Sequence, residues 1–580
     1  TQATIAIEDK DFYKHKGISL FSGIVRAVKD MIITKSLQGG STLTQQLVKS
    51  ALLSPERTLS RKVKEITLAL WTEQLYSKDQ ILQMYLNQVP YGGSAYGIEE
   101  ASETFFNKKA KDLTLDEAAL LAGLPQAPTY YSPYTNPKLT IKRRNDVLKN
   151  MFEQKYISKE DYEKAKSSAL KIQPLKQDIK APHFVFYVKS ILEKQYGLYQ
   201  VGQGGLRVTT SIDLELQEKL EEILRDELEK VRYLNISNGA ILVIHPSTGE
   251  ILAMVGSENY FATPSGSFNV TTALRQPGSS IKPLMYALAL ERGYTAATLI
   301  DDTPISFYIP GAETYTPVNY DSRYHGRVTL RSALANSYNI PAVKVLNTLG
   351  VDNFVEHATN MGISNWNEKN TYGLSITLGG AEVKMTDLSV AFGSFANNGK
   401  KVDLQPILSI SDYKGNSLFS FEKTGGKRVL SEETAFIISD ILSDNIARRP
   451  AFGISQLEVN NHQVAVKTGT TNDKKDNWTI GYTPKFLTSV WVGNNDNQPM
   501  NPYLSSGITG AAPIWNRTMT YLLDNYKFNS EAPDSFPIPD DIVRSMCGNR
   551  IEYFERGTEN KINCKPLPSL PLPSISPYLR

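Results

Sequence analysis

Three short stretches place hydroxyl, amine and amide groups at spacings that suit serine acyl transfer. Residues 275–283 read RQPGSSIKP, residues 336–341 read NSYNIP, and residues 466–471 read VKTGTT. In the first, Ser279 precedes Lys282 by three positions, which puts both side chains on one face at the start of a helix; Ser280 lacks that spacing. A serine hydroxyl is a weak nucleophile at neutral pH, and Lys282 is expected to reach it and take its proton. The helix N-terminus would offer backbone donors to a developing oxyanion. The second stretch supplies Ser337 and Asn339, and the third Lys467, Thr468, Gly469 and Thr470. Lys467, Thr468 and Thr470 suit a terminal carboxylate, and Gly469 is expected to let a substrate backbone lie close to a sheet edge. Each stretch alone reads as a helix cap, a surface pair or a strand lysine. Together and in this order they point to a nucleophile with its activating base. His245, His325, His357 and His462 lie in no Gly-x-Ser-x-Gly context, which disfavours a Ser-His-Asp hydrolase.

A second set lies near the N-terminus. Residues 8–17 read EDKDFYKHKG, 39–50 GGSTLTQQLVKS and 61–65 RKVKE; 81–98 contain ILQMYLNQVPYGGSAYGI and 101–131 ASETFFNKKAKDLTLDEAALLAGLPQAPTYY. They contribute two carboxylates, Glu8 and Glu65, two cations, Lys49 and Arg61, and the polar residues Ser41, Gln45 and Gln46. Taken singly, Glu8 and Asp9 fit a solvated turn, Gly39–Thr42 a loop and cap, and Arg61 with Glu65 an (i, i+4) pair.

Positioning these groups requires two kinds of scaffold. Apolar periodicity through Leu59–Leu75, Ile81–Leu86 and Leu115–Leu124 predicts a helical region over residues 1–150. Residues 151–235 are lysine-rich, with one strand-like piece at Gly205–Ile212, and read as a linker region. From 236 to 530 the pattern changes. Ala240–His245 and Ile251–Val255 predict strands around a Pro-Ser-Thr-Gly turn, a helix follows from Ser280, and strands return at Val464–Lys467, Trp478–Tyr482 and Leu487–Val492. That order predicts an antiparallel sheet with helices packed on it. The tail, 531–580, ends in a proline-rich run and reads as loop or extended linker.

At 580 residues the chain is too long for one core. Its 63 basic and 60 acidic residues leave a net charge of +3, too balanced to argue for nucleic acid. Six histidines and two cysteines, Cys547 and Cys564, do not suggest a zinc site. The cysteines read equally as one disulfide or as two thiols. No run approaches the ~18 apolar residues of a membrane span. The chain opens at Thr1 with chemistry-bearing residues close behind it, so a membrane anchor is expected to precede this segment.

The N-terminal motifs, in their order from Glu8 to Tyr131, resemble the peptidoglycan glycosyltransferases, a mostly α, lysozyme-like fold. The three stretches with Ser279 and Lys282, Ser337 and Asn339, and Lys467, Thr468 and Gly469 resemble those of the serine penicillin-binding transpeptidases. Together the chain is identified as a member of the class A, bifunctional penicillin-binding proteins. The resemblance implies that Glu8 is the base on the acceptor sugar's 4-hydroxyl and that Glu65 lies near the donor's phosphates or a metal they hold. It implies that Lys49 and Arg61 neutralise the leaving diphosphate and that Ser41, Gln45 and Gln46 line the groove. In the α/β second domain, Ser279 would attack the penultimate D-Ala carbonyl and Ser337 relay protons with Lys282 and Lys467. Asn339 would orient the substrate amide, and the amides of Ser279 and Thr470 would form the oxyanion hole. Implied partners are lipid II and nascent peptidoglycan, β-lactam and moenomycin-type inhibitors, the cell membrane and other cell-wall synthesis proteins, with the catalytic domains outside the cytoplasm. Transpeptidation would need no cofactor, and the glycosyltransferase site leaves room for a divalent cation (Mg or Mn). The rival readings are a serine carboxypeptidase or β-lactamase, which would not carry the N-terminal motifs, and a non-catalytic scaffold or sensor, against which the presence of Glu8, Ser279, Lys282 and Lys467 argues.

Overall fold

The computed structural model describes residues 1–18, 41–52, 59–92, 95–128, 130–173, 179–203, 205–263, 265–308, 314–366, 371–423, 425–502, 506–562 and 564. The chain divides into two compact units, Thr1–Asp178 and Ile179–Arg580.

The first unit is helical, as its periodicity predicts. Its helices include α1 (Gln2–Glu8), α2 (Leu43–Leu52), α3 (Leu59–Leu75), α4 (Lys78–Gln88), α5 (Ile98–Phe106), α6 (Leu115–Gly123), α7 (Pro137–Glu153) and α8 (Lys159–Ser167). Capping boxes open α4 at Ser77 and α6 at Thr114, so residue type fixes where both begin. Ile5, Phe12, Leu43, Leu47, Ile81, Leu82 and Tyr85 form one core with Phe105, Leu120 and Leu121. A second core, from Ala3, Ala6, Ala119 and Ala122 to Val147, Met151 and Ala165, clamps α1 between α6 and α7. Glu8 is the last residue of that clamped helix.

The second unit is built on a five-stranded antiparallel sheet. Its strands are β1 (Asn238–Ile244), β2 (Ile251–Val255), β5 (Ala465–Thr470), β6 (Asp476–Tyr482) and β7 (Leu487–Gly493), in spatial order β5-β6-β7-β1-β2. A small pair, β3 (Leu274–Arg275) with β4 (Val383–Lys384), stands beside it. Alternation sorts the sheet's side chains into two cores. Ala240, Leu242 and Ile244 pack with α11 (Lys282–Glu291), α15 (Met385–Ala396) and α16 (Glu432–Ser443). Ile241 and Val243 pack with α10 (Leu214–Val231) and α18 (Ala511–Asp524). Helices therefore cover both faces, which is why β1 reads as a continuous apolar run rather than an alternating one.

Two expectations need correction. The linker region 151–235 is not a separate element. Its first part, with α8, packs on the first unit, while α9 (Pro182–Tyr196), the Arg207–Thr210 strand and α10 belong to the second. The tail is not simply loop: β8 (Ile542–Cys547) and β9 (Arg550–Glu555) form a register-matched hairpin. A Cys547–Cys564 disulfide closes it. Glu552 reaches the buried guanidinium of Arg331, which also pairs with Asp440 and Asp444, so the hairpin docks through paired charges. The proline-rich run lies outside the described residues.

Candidate active sites

In the second unit the chain leaves β3 and makes a tight 3-10 turn, Gly278–Ile281, before α11 begins at Lys282. The two serines of that turn differ. Ser280 is buried and its hydroxyl donates to the Pro277 carbonyl at 2.7 Å, so it caps the turn. Ser279 is partly exposed, and its hydroxyl makes no hydrogen bond among the described residues. The Trp478 indole of β6 donates to Gln276 O at 2.9 Å and pins the segment to the sheet.

Glycines let the turn sit there. A Cβ on Gly469 of β5 would fall 2.3 Å from Pro277 O and 2.9 Å from Ser280 N. Gly469 therefore makes room for the Ser279 turn, not for a substrate backbone as the sequence suggested. Gly278 has φ +54°, and a Cβ there would meet the Thr470 main chain at 2.7–2.8 Å. The main chains of Thr470 and of the Ser279 turn are thus neighbours, the arrangement two amide donors to one oxyanion require.

Lys282 is fully buried. Its Nζ donates to Ser337 O (2.6 Å), Tyr338 O (3.1 Å) and Asn339 Oδ1 (2.6 Å), with Ser337 Oγ at 3.4 Å. None of these bonds goes to Ser279, so the direct Ser279–Lys282 contact expected from spacing is not formed. The oxygens suit an ammonium, whereas burial and the nearby Lys467 charge oppose it; the net direction is well below an ordinary lysine. Lys467, on β5, donates to Ser337 Oγ and to Thr468 O, both at 2.8 Å. Burial, then the charge of Arg448, pushes it down to about 7.

Ser337 adopts φ +59°, a left-handed conformation that costs a non-glycine residue about 1–3 kcal/mol and turns its hydroxyl between the lysines. Asn339 opens α13 (Asn339–Leu349) and donates through Nδ2 to Val318 O at 2.8 Å. Its amide donates to Asn319 Oδ1, and Asn319 donates in turn to the buried Asp302 at 2.8 and 2.9 Å. This Asp302–Asn319 buttress and Arg448 carried no local sequence signal. The Thr470 hydroxyl accepts from Gly507 N at 3.0 Å, which leaves its proton to donate.

In the first unit, Glu8 Oε2 accepts from Gln46 Nε2 at 2.9 Å, and Gln46 Oε1 accepts from the Tyr85 hydroxyl at 3.3 Å. Arg143 of α7 stands 3.7 Å from Oε1, an atom that takes no hydrogen bond. Burial raises the Glu8 carboxyl, against the lowering effects of Gln46 and Arg143. Asp9 holds His15 at 2.9 Å and the Leu43 amide at 3.0 Å, which docks α2 against the end of α1.

Ser41, Arg61 and Glu65 form a separate group. Glu65 is 1% exposed; Arg61 donates to its Oε2 at 3.0 Å and Lys62 to its Oε1. Lys62 also donates to Ser41 Oγ at 3.1 Å. Gln45 does not line this space: it is buried, and its Oε1 accepts from Thr42 N at 2.9 Å as a cap for α2. Lys49 is exposed on α2 and joins neither group by a hydrogen bond. Gly39 and Gly40 lie outside the described residues. Sequence reading missed Arg143, which sits in an unremarkable basic helix, and Lys62, which lay inside a quoted motif.

Among known proteins, a family model described as Transglycosylase matches residues 1–152. Another, the Penicillin binding protein transpeptidase domain, matches residues 239–520. Penicillin-binding protein 1F of Bacillus subtilis is 36% identical over 535 residues, covering 90% of this chain and 72% of the relative. Penicillin-binding protein 1A of Aquifex aeolicus is 32% identical over 656 residues, covering 97% and 88%. The crystal structure of penicillin-binding protein 1A from Haemophilus influenzae shares the fold, with a TM-score of 0.59 and 24% identity over 90% of this chain and 94% of that one.

Proposed function

The chain belongs to the class A penicillin-binding proteins, and from that premise we propose roles for its individual side chains. It is a bifunctional peptidoglycan synthase, a glycosyltransferase joined to a serine-type D-Ala-D-Ala transpeptidase.

In the transpeptidase, Ser279 Oγ attacks the penultimate D-Ala carbonyl. Its proton passes through the Ser337 hydroxyl to Lys282, and the oxyanion is held by the amides of Ser279 and Thr470. The C–N bond breaks, the relayed proton goes to the leaving amine, and D-Ala departs. An amine of a neighbouring stem then takes the acyl group and surrenders its proton along the same path. Lys467, Thr468 and Thr470 hold the terminal carboxylate, and Asn339 orients the substrate amide. The observation that carries this reading is the convergence of two buried lysines on one hydroxyl, Ser337 Oγ, beside a serine left without a partner.

In the glycosyltransferase, Glu8 takes the proton of the acceptor 4-hydroxyl as that oxygen displaces the lipid diphosphate at the anomeric carbon. Its raised carboxyl makes it a stronger base than a solvated glutamate. Arg61 and Lys49, with Lys62, neutralise the leaving diphosphate; Ser41 and Gln46 line the groove. Both Glu65 oxygens are held by Arg61 and Lys62, so Glu65 positions the cations that neutralise the diphosphate.

The substrate is lipid II, and the protein works on the outer face of the cell membrane. No described helix is long and apolar enough to cross a membrane. However, Val63, Leu70, Trp71 and Leu75 are exposed on one side of α3, with Trp71 61% exposed, which supports contact with a lipid surface. Moenomycin-type inhibitors would compete at the first site and β-lactams acylate the second. Incubation with lipid II, followed by analysis of glycan length and cross-links, tests the assignment: strands that lengthen but never cross-link would overturn the transpeptidase roles.

A further inference from the structure

A cleft of about 840 Å³ opens in the second unit between α9, the loop after β2 and the junction of β4 with α15. None of the motif residues lines it. Its size falls within the roughly 300–1,000 Å³ of pockets that enclose drug-sized ligands.

Its lining has three properties that constrain a ligand. Phe186 and Tyr260 stack nearly parallel, with centroids 5.5 Å apart and planes 9° from coplanar. His183 sets the Tyr260 ring from its edge and is itself held by Ser257 at 2.7 Å, so this aromatic plate is fixed. Phe186 is 41% exposed, leaving the plate a free apolar face. Second, the charges balance: Lys384 and Lys401 against Asp387 and Asp403. A balanced lining gives no net field to gather a polyphosphate or a polycation. Third, hydrogen-bonding capacity is left over. Among the described residues, Asp387 receives Ser364 N at 2.9 Å and Ser364 Oγ at 2.5 Å on Oδ2 alone, and Lys384 Nζ donates only to Ser364 Oγ at 3.2 Å. Among the described residues the Tyr187 hydroxyl makes no hydrogen bond.

We propose that this cleft binds a neutral, β-1,4-linked N-acetylated amino-sugar strand. The inference rests on the reading of the chain as a peptidoglycan synthase. The aromatic plate takes the C–H face of a pyranose. Tyr187, Asp387 and Lys384 take hydroxyl and N-acetyl groups. The charge balance disfavours the diphosphate-bearing lipid donor.

The location gives such a strand a use. Asn269 and Thr272 line the cleft, and the chain runs from them through β3 to the Ser279 turn. β3 pairs Leu274 with Lys384 and Arg275 with Val383. The cleft wall and the nucleophile are therefore parts of one continuous segment, and a glycan held here lies against the stretch that carries Ser279.

Hydrogen–deuterium exchange of the full chain with a soluble β-1,4-linked N-acetylglucosamine tetramer tests the proposal. Exchange should slow in peptides covering 182–196 and 383–404. Phe186→Ala, at an exposed position, and Tyr187→Phe, which removes only a hydroxyl, should each weaken that protection, the former by a factor on the order of ten in affinity. Both variants should label with fluorescent penicillin at the wild-type rate. Loss of penicillin labelling in the wild type would count against the catalytic reading and leave the cleft standing. Protection confined to 1–178 or to 465–482, no protection, or protection untouched by either substitution overturns the proposal. So does protection of 182–196 by a D-Ala-D-Ala-ended pentapeptide but not by the saccharide.

Discussion

The Lys467 ammonium donates to the Ser337 hydroxyl at 2.8 Å, and the same oxygen lies 3.4 Å from Lys282. The roles proposed for the two lysines need opposite protonation states: Lys282 an amine to accept a proton, and Lys467 an ammonium to hold a carboxylate. Acylation should therefore rise with pH as Lys282 deprotonates and fall as Lys467 loses its proton, near pH 7 in the free enzyme. Stopped-flow acylation by a chromogenic penicillin across pH 5–10 checks this. Lys467→Arg, which stays charged, should lose the falling limb; an unchanged limb would assign it to another group.

Ser279→Ala should abolish covalent penicillin labelling. Ser280→Ala should keep it, with a loss of about 1 kcal/mol in stability from the broken bond to Pro277 O. Peptide mapping of the adduct decides the matter, and a label on Ser280 or Ser337 would refute the assignment. Lys282→Ala should slow acylation by a factor on the order of 10²–10⁴, the usual contribution of a general base.

Gly469→Ala should cripple acylation although no catalytic group is lost. The added methyl would meet Pro277 O at 2.3 Å, so the Ser279 turn must shift. Misplacement by about 1 Å can cost on the order of 10²-fold in rate. Wild-type acylation in a folded Gly469→Ala protein would show that the turn tolerates displacement.

Glu8→Gln should stop glycan polymerisation and leave penicillin labelling intact. The base works ionised, so polymerisation should fall as pH drops through the raised value of the Glu8 carboxyl. Arg143→Met removes a charge that lowers that value, and the acid limb should move to higher pH. A limb that stays put or moves down would remove Arg143 from the site.

Non-reducing mass spectrometry should find neither Cys547 nor Cys564 alkylatable. Replacing both by serine should cost about 3 kcal/mol by the chain-entropy argument for a loop of this length. Denaturant titration of the two forms provides the comparison.

Much of this arrangement was legible because chemistry with strict spacing leaves strict spacing in the chain. Counting to Lys282 singled out Ser279 although the two side chains do not bond to each other, and the strands around Pro246 and Pro484 carried turn residues between apolar runs. What escaped depends on contacts between distant segments. Gly469 looks the same whether its empty side faces a substrate or Pro277. Arg143 reaches Glu8 from the far end of its unit, and Asn319 supports Asn339 from a loop twenty positions earlier. The tail hairpin was hidden because its anchor, the Arg331–Glu552 pair, joins two charges that each read alone as surface.

The main-chain seating of the Ser279 turn also bears on heritable variation. Side chains can be exchanged by degrees, but Gly278 and Gly469 meet backbone atoms, and every single-codon replacement adds at least a methyl where none fits. Selection for reduced β-lactam sensitivity therefore has little to work with at the nucleophile itself. In a saturation library these two positions should be nearly silent among survivors. Tolerated changes should cluster at exposed side chains near Asn319 in the chain, such as Val318, Tyr320 and Tyr324.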